Sequence, residues 1–233
     1  MWGGYWTEYL FALPGILLAL WAQARVSSAY AEGAGIPATS GLSGAEAAAY
    51  VMQAGGVSGV GIEPVAGQLT DHYDPGSKVL RLSGGVYGGR SLSALGIAAH
   101  EAGHAIQDAT GYPGLVVRNL IVPLAGIGSN AFWILIILGA LLHMTGLILL
   151  GIVLFSITVA FQLVNLPVEF DASRRAREAL LTTGMVSVEE DRTVGKVLNA
   201  AAWTYVAATL TSVLILLSYL YRFGFLGGHF RDE

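Results

Sequence analysis

Four long apolar stretches constrain this chain more than any other feature of its sequence. They run over 9–24, 115–141, 147–166 and 202–223. An apolar helix crosses a bilayer with about 20 residues, and the first stretch lies near the lower limit. Hydrophobic residues make up 54% of the chain and charged residues only 12%, which is typical of a membrane protein. We therefore predict a mainly α fold with about four transmembrane helices.

The polar remainder divides the chain into five segments. We predict an N-terminal transmembrane anchor over 1–24, a polar α+β segment over 25–112, a transmembrane hairpin over 113–166, a polar helical segment over 167–201, and a last transmembrane helix with a tail over 202–233. A cleaved signal peptide is the alternative for the first segment. Signal peptides begin with positive charge, and no Lys or Arg precedes Arg25, so we favour the anchor.

Four spans place both polar segments on the same side of the membrane. Of the twelve Lys and Arg residues, all but Arg222 and Arg231 lie in or next to these two segments. By the positive-inside rule, both segments are expected to face the cytoplasm. We thus expect a multi-pass protein in contact with the lipid bilayer. The net charge of −4 gives no basis for binding nucleic acid.

The first polar segment is predicted to contain both helix and strand. A capped helix is expected over 43–54. Residues 60–70 resemble a strand, 71–77 are dense in turn formers, and 78–83 alternate like a second strand. We predict that the two strands form a β-hairpin, and that an edge strand there could pair with an extended peptide.

Residues 100–104 contain the pattern His-Glu-x-x-His. On a helix, positions i and i+4 share a face, so His100 and His104 can point both imidazoles at one cation. Glu101 would lie beside that cation, where it could take a proton from water. The chain has no cysteine, which excludes a thiolate zinc site. The pattern predicts a catalytic zinc site that needs one more protein ligand and keeps one open position.

The predicted topology limits the choice of the third ligand. Among the five histidines, His143 and His229 are expected on the opposite side of the membrane. This leaves His72 or a carboxylate of the second polar segment. Glu169 and Asp171 come directly after the third predicted span, which makes them the nearest carboxylates.

Glu169 is our prediction for the third ligand. If this segment is helical, Ala172, Ser173 and Ala176 share a face with Glu169. Their small side chains would let that face approach the equally small-faced helix of residues 100–104. The alternative is that Glu169 only forms salt bridges with nearby arginines on a solvated helix.

Five stretches carry a resemblance to a known family: residues 71–75, 80–83, 86–87, 100–107 and 166–176. In this order, along most of the chain, they resemble the YugP-type neutral zinc metallopeptidases, which are small bacterial membrane proteins. The layout is also similar to that of HtpX-type and CAAX-processing membrane proteases, in which a later Glu supplies the third ligand. The resemblance implies a bacterial inner-membrane peptidase with one Zn²⁺ per chain. From the position of the site residues at helix ends and in polar segments, we expect a peptide or membrane-protein substrate.

One position departs from the pattern of those relatives. Their ligand Glu is usually followed four residues on by Asp, and here that position is Ser173. Asp171 or Asp108 is expected to orient the histidines in its place. A second stabiliser of the oxyanion is also required. The candidates, which the sequence does not rank, are His72, Tyr73, Tyr112 and Arg174.

These features predict a membrane-embedded zinc endopeptidase. His100, His104 and Glu169 would hold the zinc, and Glu101 would act on the water that the zinc activates, at the cytoplasmic membrane surface. The alternative is a catalytically inert membrane scaffold that retains the fold, but the intact ligands and Glu101 argue against it. A transporter is disfavoured, because the predicted spans carry almost no charge. Oligomerisation stays open.

Overall fold

The computed structural model describes residues 5–223, with side chains from Leu10 onward. Its elements are α1 (Tyr5–Ala34), α2 (Gly44–Ala54), β1 (Gly61–Val65), β2 (His72–Asp74), β3 (Val79–Ser83), α3 (Gly84–Tyr87), α4 (Leu92–Ala109), α5 (Pro113–Leu141), α6 (Thr145–Thr182) and α7 (Val188–Arg222). The predicted mainly α class is confirmed. The predicted tail, which includes His229, lies outside the described residues.

Four helices in the described part of the chain are long and apolar enough to cross a membrane. They are Leu10–Ala34 within α1, and the whole of α5, α6 and α7. This assignment rests on length and composition, and it confirms the predicted number of transmembrane helices.

Contacts divide the chain into two compact units. The apolar unit comprises residues up to Trp21, Val117–Leu166 and residues from Thr204 on. The polar unit comprises Ala22–Val116 and Pro167–Trp203. Helices α1, α5, α6 and α7 each contribute residues to both units.

The apolar unit is held together by close packing of helices. Phe132 is fully buried, stacks on Phe155 and meets the ring of Tyr219 edge-on. A Cβ atom at Gly128 would lie only 2.4 Å from the carbonyl oxygen of Leu154. The missing side chain therefore permits α5 and the first part of α6 to approach closely.

Three of the apolar helices extend further into polar sequence than predicted. α1 continues to Ala34, and α6 continues through Pro167 to Thr182. α7 begins at Val188, where Ser187 and Glu190 each accept a hydrogen bond from the other's backbone N–H. This capping box satisfies two of the free donors at the helix start. The added stretches are rich in alanine and charged residues, which favour helix.

The polar unit is built around α4. Buried side chains from β3, α4, α6 and α7 form one core with α2. Its largest fully buried members include Leu80, Leu82, Leu95, Leu180 and Val194. The predicted capped helix is present as α2, with Ser43 and Glu46 forming a capping box.

The strand pairing corrects the predicted hairpin. The sheet order is β1-β3-β2, with β1 parallel to β3 and β2 antiparallel to it. The hairpin is therefore β2–β3, and the run 60–70 does not pair as its first strand. The turn formers in 71–77 concealed a three-residue strand. Asp74 ends that strand and accepts the N–H groups of Gly76 and Ser77, which closes the turn.

Candidate active site

Helix α4 carries the His-Glu-x-x-His residues of the chain. Ser91 caps it and accepts a hydrogen bond from the N–H of Ala94. His100 and His104 lie one turn apart on the same face, with ring centroids 4.8 Å apart and the rings nearly perpendicular. The 3.6-residue period of the helix is thus sufficient to bring the two imidazoles together.

Small residues bring a segment of α6 close to this face. A Cβ atom at Gly103 would lie 2.6 Å from the carbonyl oxygen of Ala172. Ala172 and Ala176 are fully buried. Because Glu169 shares their helix face, the close approach directs its carboxylate toward the two imidazoles.

Glu169 forms a compact group with the two histidines. Its Oε2 lies 3.2 Å from Nε2 of His100 and 3.5 Å from Nε2 of His104. The possible ligand atoms of the three residues lie within 4.8 Å of one another. Glu169 and His104 are buried, and His100 is partly exposed. The group is close enough to bind one metal ion.

The donor set and its spacing suit zinc. Zinc takes imidazole nitrogen and carboxylate oxygen at about 2.0–2.2 Å, and two tetrahedral ligands at that radius are about 3.4 Å apart. The two His–Glu separations, 3.2 and 3.5 Å, agree with that spacing. Three protein ligands leave a fourth position open, as in catalytic rather than structural zinc sites.

Gln107 was not among the predicted site residues, and it fixes the orientation of His104. Its side-chain NH₂ donates to the carbonyl oxygen of Val168 at 2.8 Å and to Oδ2 of Asp171 at 3.0 Å. Its Oε1 must then be the acceptor that faces Nδ1 of His104 at 3.0 Å. With the proton on Nδ1, Nε2 presents a lone pair toward Glu169, which is the state that a metal requires.

The spacing of Gln107 from His104 is the sequence signal that could have identified it as a site residue. Gln107 follows His104 by three residues, so it lies on the same side of α4. It is fully buried, which is unusual for glutamine unless its polar atoms are paired.

Ser173 occupies the position that departs from the pattern of the relatives, and it contacts a histidine itself. Its Oγ lies 3.1 Å from Nδ1 of His100. Asp171, the predicted substitute, contacts Gln107 and is also paired with Arg174. It therefore bears on the histidines through Gln107 rather than by direct contact.

Glu101 is held by the edge strand β2. Its Oε2 accepts the backbone N–H of Tyr73 at 3.0 Å. The Tyr73 hydroxyl donates to Oδ2 of Asp108 at 2.6 Å, and Asp108 also pairs with Lys78. Burial and the hydrogen bond to Asp108 raise the pKa of Tyr73, so its hydroxyl keeps its proton. Asp108 thus binds the hairpin and does not contact the histidines that it was predicted to orient.

The two other candidates have partners of their own. His72 is exposed, and its Nδ1 donates to the carbonyl oxygen of Thr70 at 2.8 Å. It is not part of the compact His/His/Glu group found among the described residues. The ring of Tyr112 lies 5.6 Å from the guanidinium carbon of Arg175, close enough for a cation–π contact.

Glu169 also favours positive charge at the imidazole of His104. Burial is the largest single effect on His104 and lowers its pKa. The hydrogen bond with Glu169, the charges of Glu169 and Glu101, and the contact with Gln107 together raise the pKa by more. The net result is a raised pKa of His104, so the surroundings of this ring stabilise a cation.

Comparison with known proteins agrees with this geometry. Residues 8–224 match the family described as "putative neutral zinc metallopeptidase". The chain is 46% identical over 216 residues to the "putative membrane protease YugP" of Bacillus subtilis strain 168, which covers 93% of this chain and 94% of that protein. No solved structure matches the chain. The predicted resemblance is confirmed, and the four apolar helices with this relative indicate a multi-pass membrane protein. The chain belongs to this zinc metallopeptidase family.

Proposed function

We propose that this chain is a zinc-dependent endopeptidase of a cell membrane. In this proposal His100, His104 and Glu169 hold one zinc ion, and Glu101 is the general base. The observation that carries the proposal is the convergence of two imidazoles on the buried carboxylate of Glu169. His100, one of these imidazoles, is adjacent to Glu101 in α4.

The residues of the chain divide the chemistry between them. Zinc, when bound, supplies a Lewis acid that acidifies water and polarises the carbonyl of the peptide bond. Glu101 takes a proton from the water whose oxygen bonds to the carbonyl carbon, and returns it to the amine nitrogen as the C–N bond breaks. The N–H of Tyr73 holds Oε2 of Glu101, which leaves Oε1 to take the proton.

The contacts of the oxyanion candidates narrow the choice among them. The Tyr73 hydroxyl donates to Asp108, and Arg174 pairs with acidic groups on its own helix. The contacts of His72 and Tyr112 involve Nδ1 and the aromatic ring. Nε2 of His72 and the hydroxyl of Tyr112 are not used by those contacts, so we favour these two groups as the second stabiliser of the oxyanion. A substitution of either residue that lowers kcat while zinc affinity is retained would identify it.

We place the reaction at the cytoplasmic surface of the membrane. The proposed site residues all belong to the polar unit. The Lys and Arg residues concentrate in the same polar segments, as expected for cytoplasmic segments of a membrane protein. Cytoplasmic tails, juxtamembrane segments and unfolded peptides are the substrates that such a site would reach.

A proteolysis assay on the full chain in detergent tests the proposal. We expect the purified protein to cleave an unfolded test protein, and to lose this activity on chelation and regain it with zinc. Glu101→Gln should bind zinc normally and lose turnover by at least about 100-fold, the lower end of what general-base catalysis contributes. Full activity in Glu101→Gln would contradict the mechanism. An unchanged protein that binds no zinc and cleaves no substrate would instead favour the inert scaffold.

A further inference from the structure

A cleft of about 380 Å³ lies between α6 and α7 in the polar unit. Phe170, Ser173 and Leu181 line it from α6, and Leu198 and Ala202 line it from α7. Ligand pockets in proteins begin at about 300 Å³. The cleft therefore has room for a side chain and adjoining backbone, but not for a folded partner.

Ser173 belongs both to this cleft and to the candidate site. Its Oγ lies 3.1 Å from Nδ1 of His100. The side chain of His100 is 14% exposed, against 7% for His104 and 3% for Glu169. The ligand group thus opens to solvent at His100, the histidine that Ser173 contacts. A substrate bound there would have the cleft beside it.

The charged residues of the cleft are already paired within the chain. Arg174 bonds to Asp171 and to Glu178 on the same helix. Arg177 bonds to Asp191 through two of its nitrogens. Because these carboxylates neutralise both guanidinium groups, the cleft has little free positive charge to attract an acidic side chain.

Two large apolar side chains of the remaining lining are accessible, whereas Leu198 and Ala202 are buried. Phe170 is 48% exposed and Leu181 is 36% exposed. Asn199, which is also exposed, lines the cleft from α7. A large apolar side chain would cover the exposed rings and methyl groups. The amide of Asn199 offers a donor and an acceptor for the peptide backbone that carries that side chain.

We infer that this cleft binds a large apolar side chain of the substrate, next to the peptide bond that is cleaved. The inference rests on the proposed peptidase function and adds the substrate class: extended polypeptides with a residue such as leucine or phenylalanine beside the cleavage position. Phe170 and Leu181 provide the contact surface, and the paired arginines offer little free positive charge to an acidic residue.

Cleavage profiling of a mixed peptide library tests this inference. The full zinc-loaded chain is expected to cut beside large apolar residues. Asn199→Trp would fill the cleft, and Leu181→Ala would remove part of its wall. We expect Asn199→Trp to lower kcat/KM for peptides with leucine or phenylalanine at this position by about tenfold or more, relative to peptides with alanine. Leu181→Ala should lower the same preference by less.

Val188→Ala is the matched control, because Val188 is an exposed apolar residue of α7 outside the cleft lining. It should leave the cleavage profile unchanged. Unchanged zinc content and melting temperature would separate a specificity effect from misfolding. Identical profiles in active Asn199→Trp and Leu181→Ala proteins would overturn the inference while leaving the peptidase intact. A native protein that cuts no peptide would overturn the peptidase function and this inference with it.

Discussion

Helix α6 packs closely against a neighbour in both units, and the two contacts differ in what they bring together. In the polar unit Gly103 of α4 faces the backbone of Ala172, and in the apolar unit Gly128 of α5 faces the backbone of Leu154. Both glycines permit an approach that a Cβ atom would block.

The α4–α6 contact at Gly103 carries polar side chains that are hydrogen-bonded to one another. Glu169, Gln107 and Ser173 lie on it, each within hydrogen-bonding range of a histidine. The apolar contact has aromatic and aliphatic neighbours, with Thr158 donating to the carbonyl oxygen of Ala125. Close helix packing alone thus stabilises a fold. It creates a candidate site only where polar side chains are placed on the contact and satisfied there.

Removal of the Glu169 carboxylate should weaken zinc binding more than any other substitution. Glu169→Ala should reduce zinc affinity by more than about 100-fold, because the loss of a direct ligand exceeds the 10–100-fold effect of the groups that orient ligands. Thr158→Val, which removes a buried polar group of the apolar contact, should leave zinc affinity unchanged. Isothermal titration with zinc measures both. Stoichiometric, tight zinc binding by Glu169→Ala would mean that Glu169 is not a zinc ligand.

The glycines come next. Gly103→Val places side-chain atoms where the backbone of Ala172 lies, so it should separate α4 from α6 and weaken zinc binding by about 100-fold or less. Gly103→Val and Gly128→Val should each lower the free energy of unfolding by about 1–3 kcal/mol. Gly128→Val should leave zinc affinity unchanged. Thermal unfolding and zinc titration of the two variants give the answer. Equal zinc affinities would mean that the polar contact does not position the ligands.

Buried amides provide a finer test. Gln107→Leu removes the acceptor that holds the Nδ1 proton of His104, and we expect zinc affinity to fall about 10–100-fold. Asn165→Leu removes a buried amide of the apolar unit, and Oδ1 of Asn165 has no hydrogen-bond partner among the residues that the structure describes. That variant should be neutral or slightly stabilising.

If Gln107→Leu loses zinc affinity, the cause is either the lost orientation of His104 or a wider structural change. A spectroscopic measurement separates the two. NMR of the ¹⁵N-labelled imidazoles without metal should show a hydrogen-bonded Nδ1–H of His104 that exchanges slowly with water in the native protein and faster in the variant. Unchanged exchange of this proton together with unchanged zinc affinity would refute the positioning role.

The smallest effect is expected at Ser173. Ser173→Ala removes one hydrogen bond to His100, worth about 1 kcal/mol, or about fivefold in zinc affinity. Ser156→Ala is the control, because the Ser156 hydroxyl donates to the carbonyl of Ile152 on its own helix in the apolar unit. Competition with a zinc-binding dye resolves a change of this size. Equal zinc affinities of the two variants would mean that Ser173 does not support zinc binding by His100.

Helical periodicity accounts for what the sequence could predict. The i, i+4 spacing predicts that His100 and His104 share one face of a helix. The small residues around Glu169 predict that its helix packs closely against that face. The assignment of these residues as zinc ligands stays a prediction, as do the five segment boundaries. The number of apolar helices followed directly from composition and length.

Other features depend on contacts between distant segments, which local patterns do not encode. The strand β2 has only three residues among turn formers, and its pairing with β3 is decided by tertiary packing. Gln107 is buried only because Val168 and Asp171 of another helix satisfy its amide. Neither partner is near it in the sequence.

Zinc-edge anomalous diffraction from crystals of the purified full chain would locate the metal and its ligands. We predict one zinc ion per chain, bound by Nε2 of His100, Nε2 of His104 and a carboxylate oxygen of Glu169, with zinc–nitrogen distances of about 2.0–2.1 Å. Zinc bound elsewhere, or zinc coordinated by the histidines with Glu169 turned away, would contradict the account.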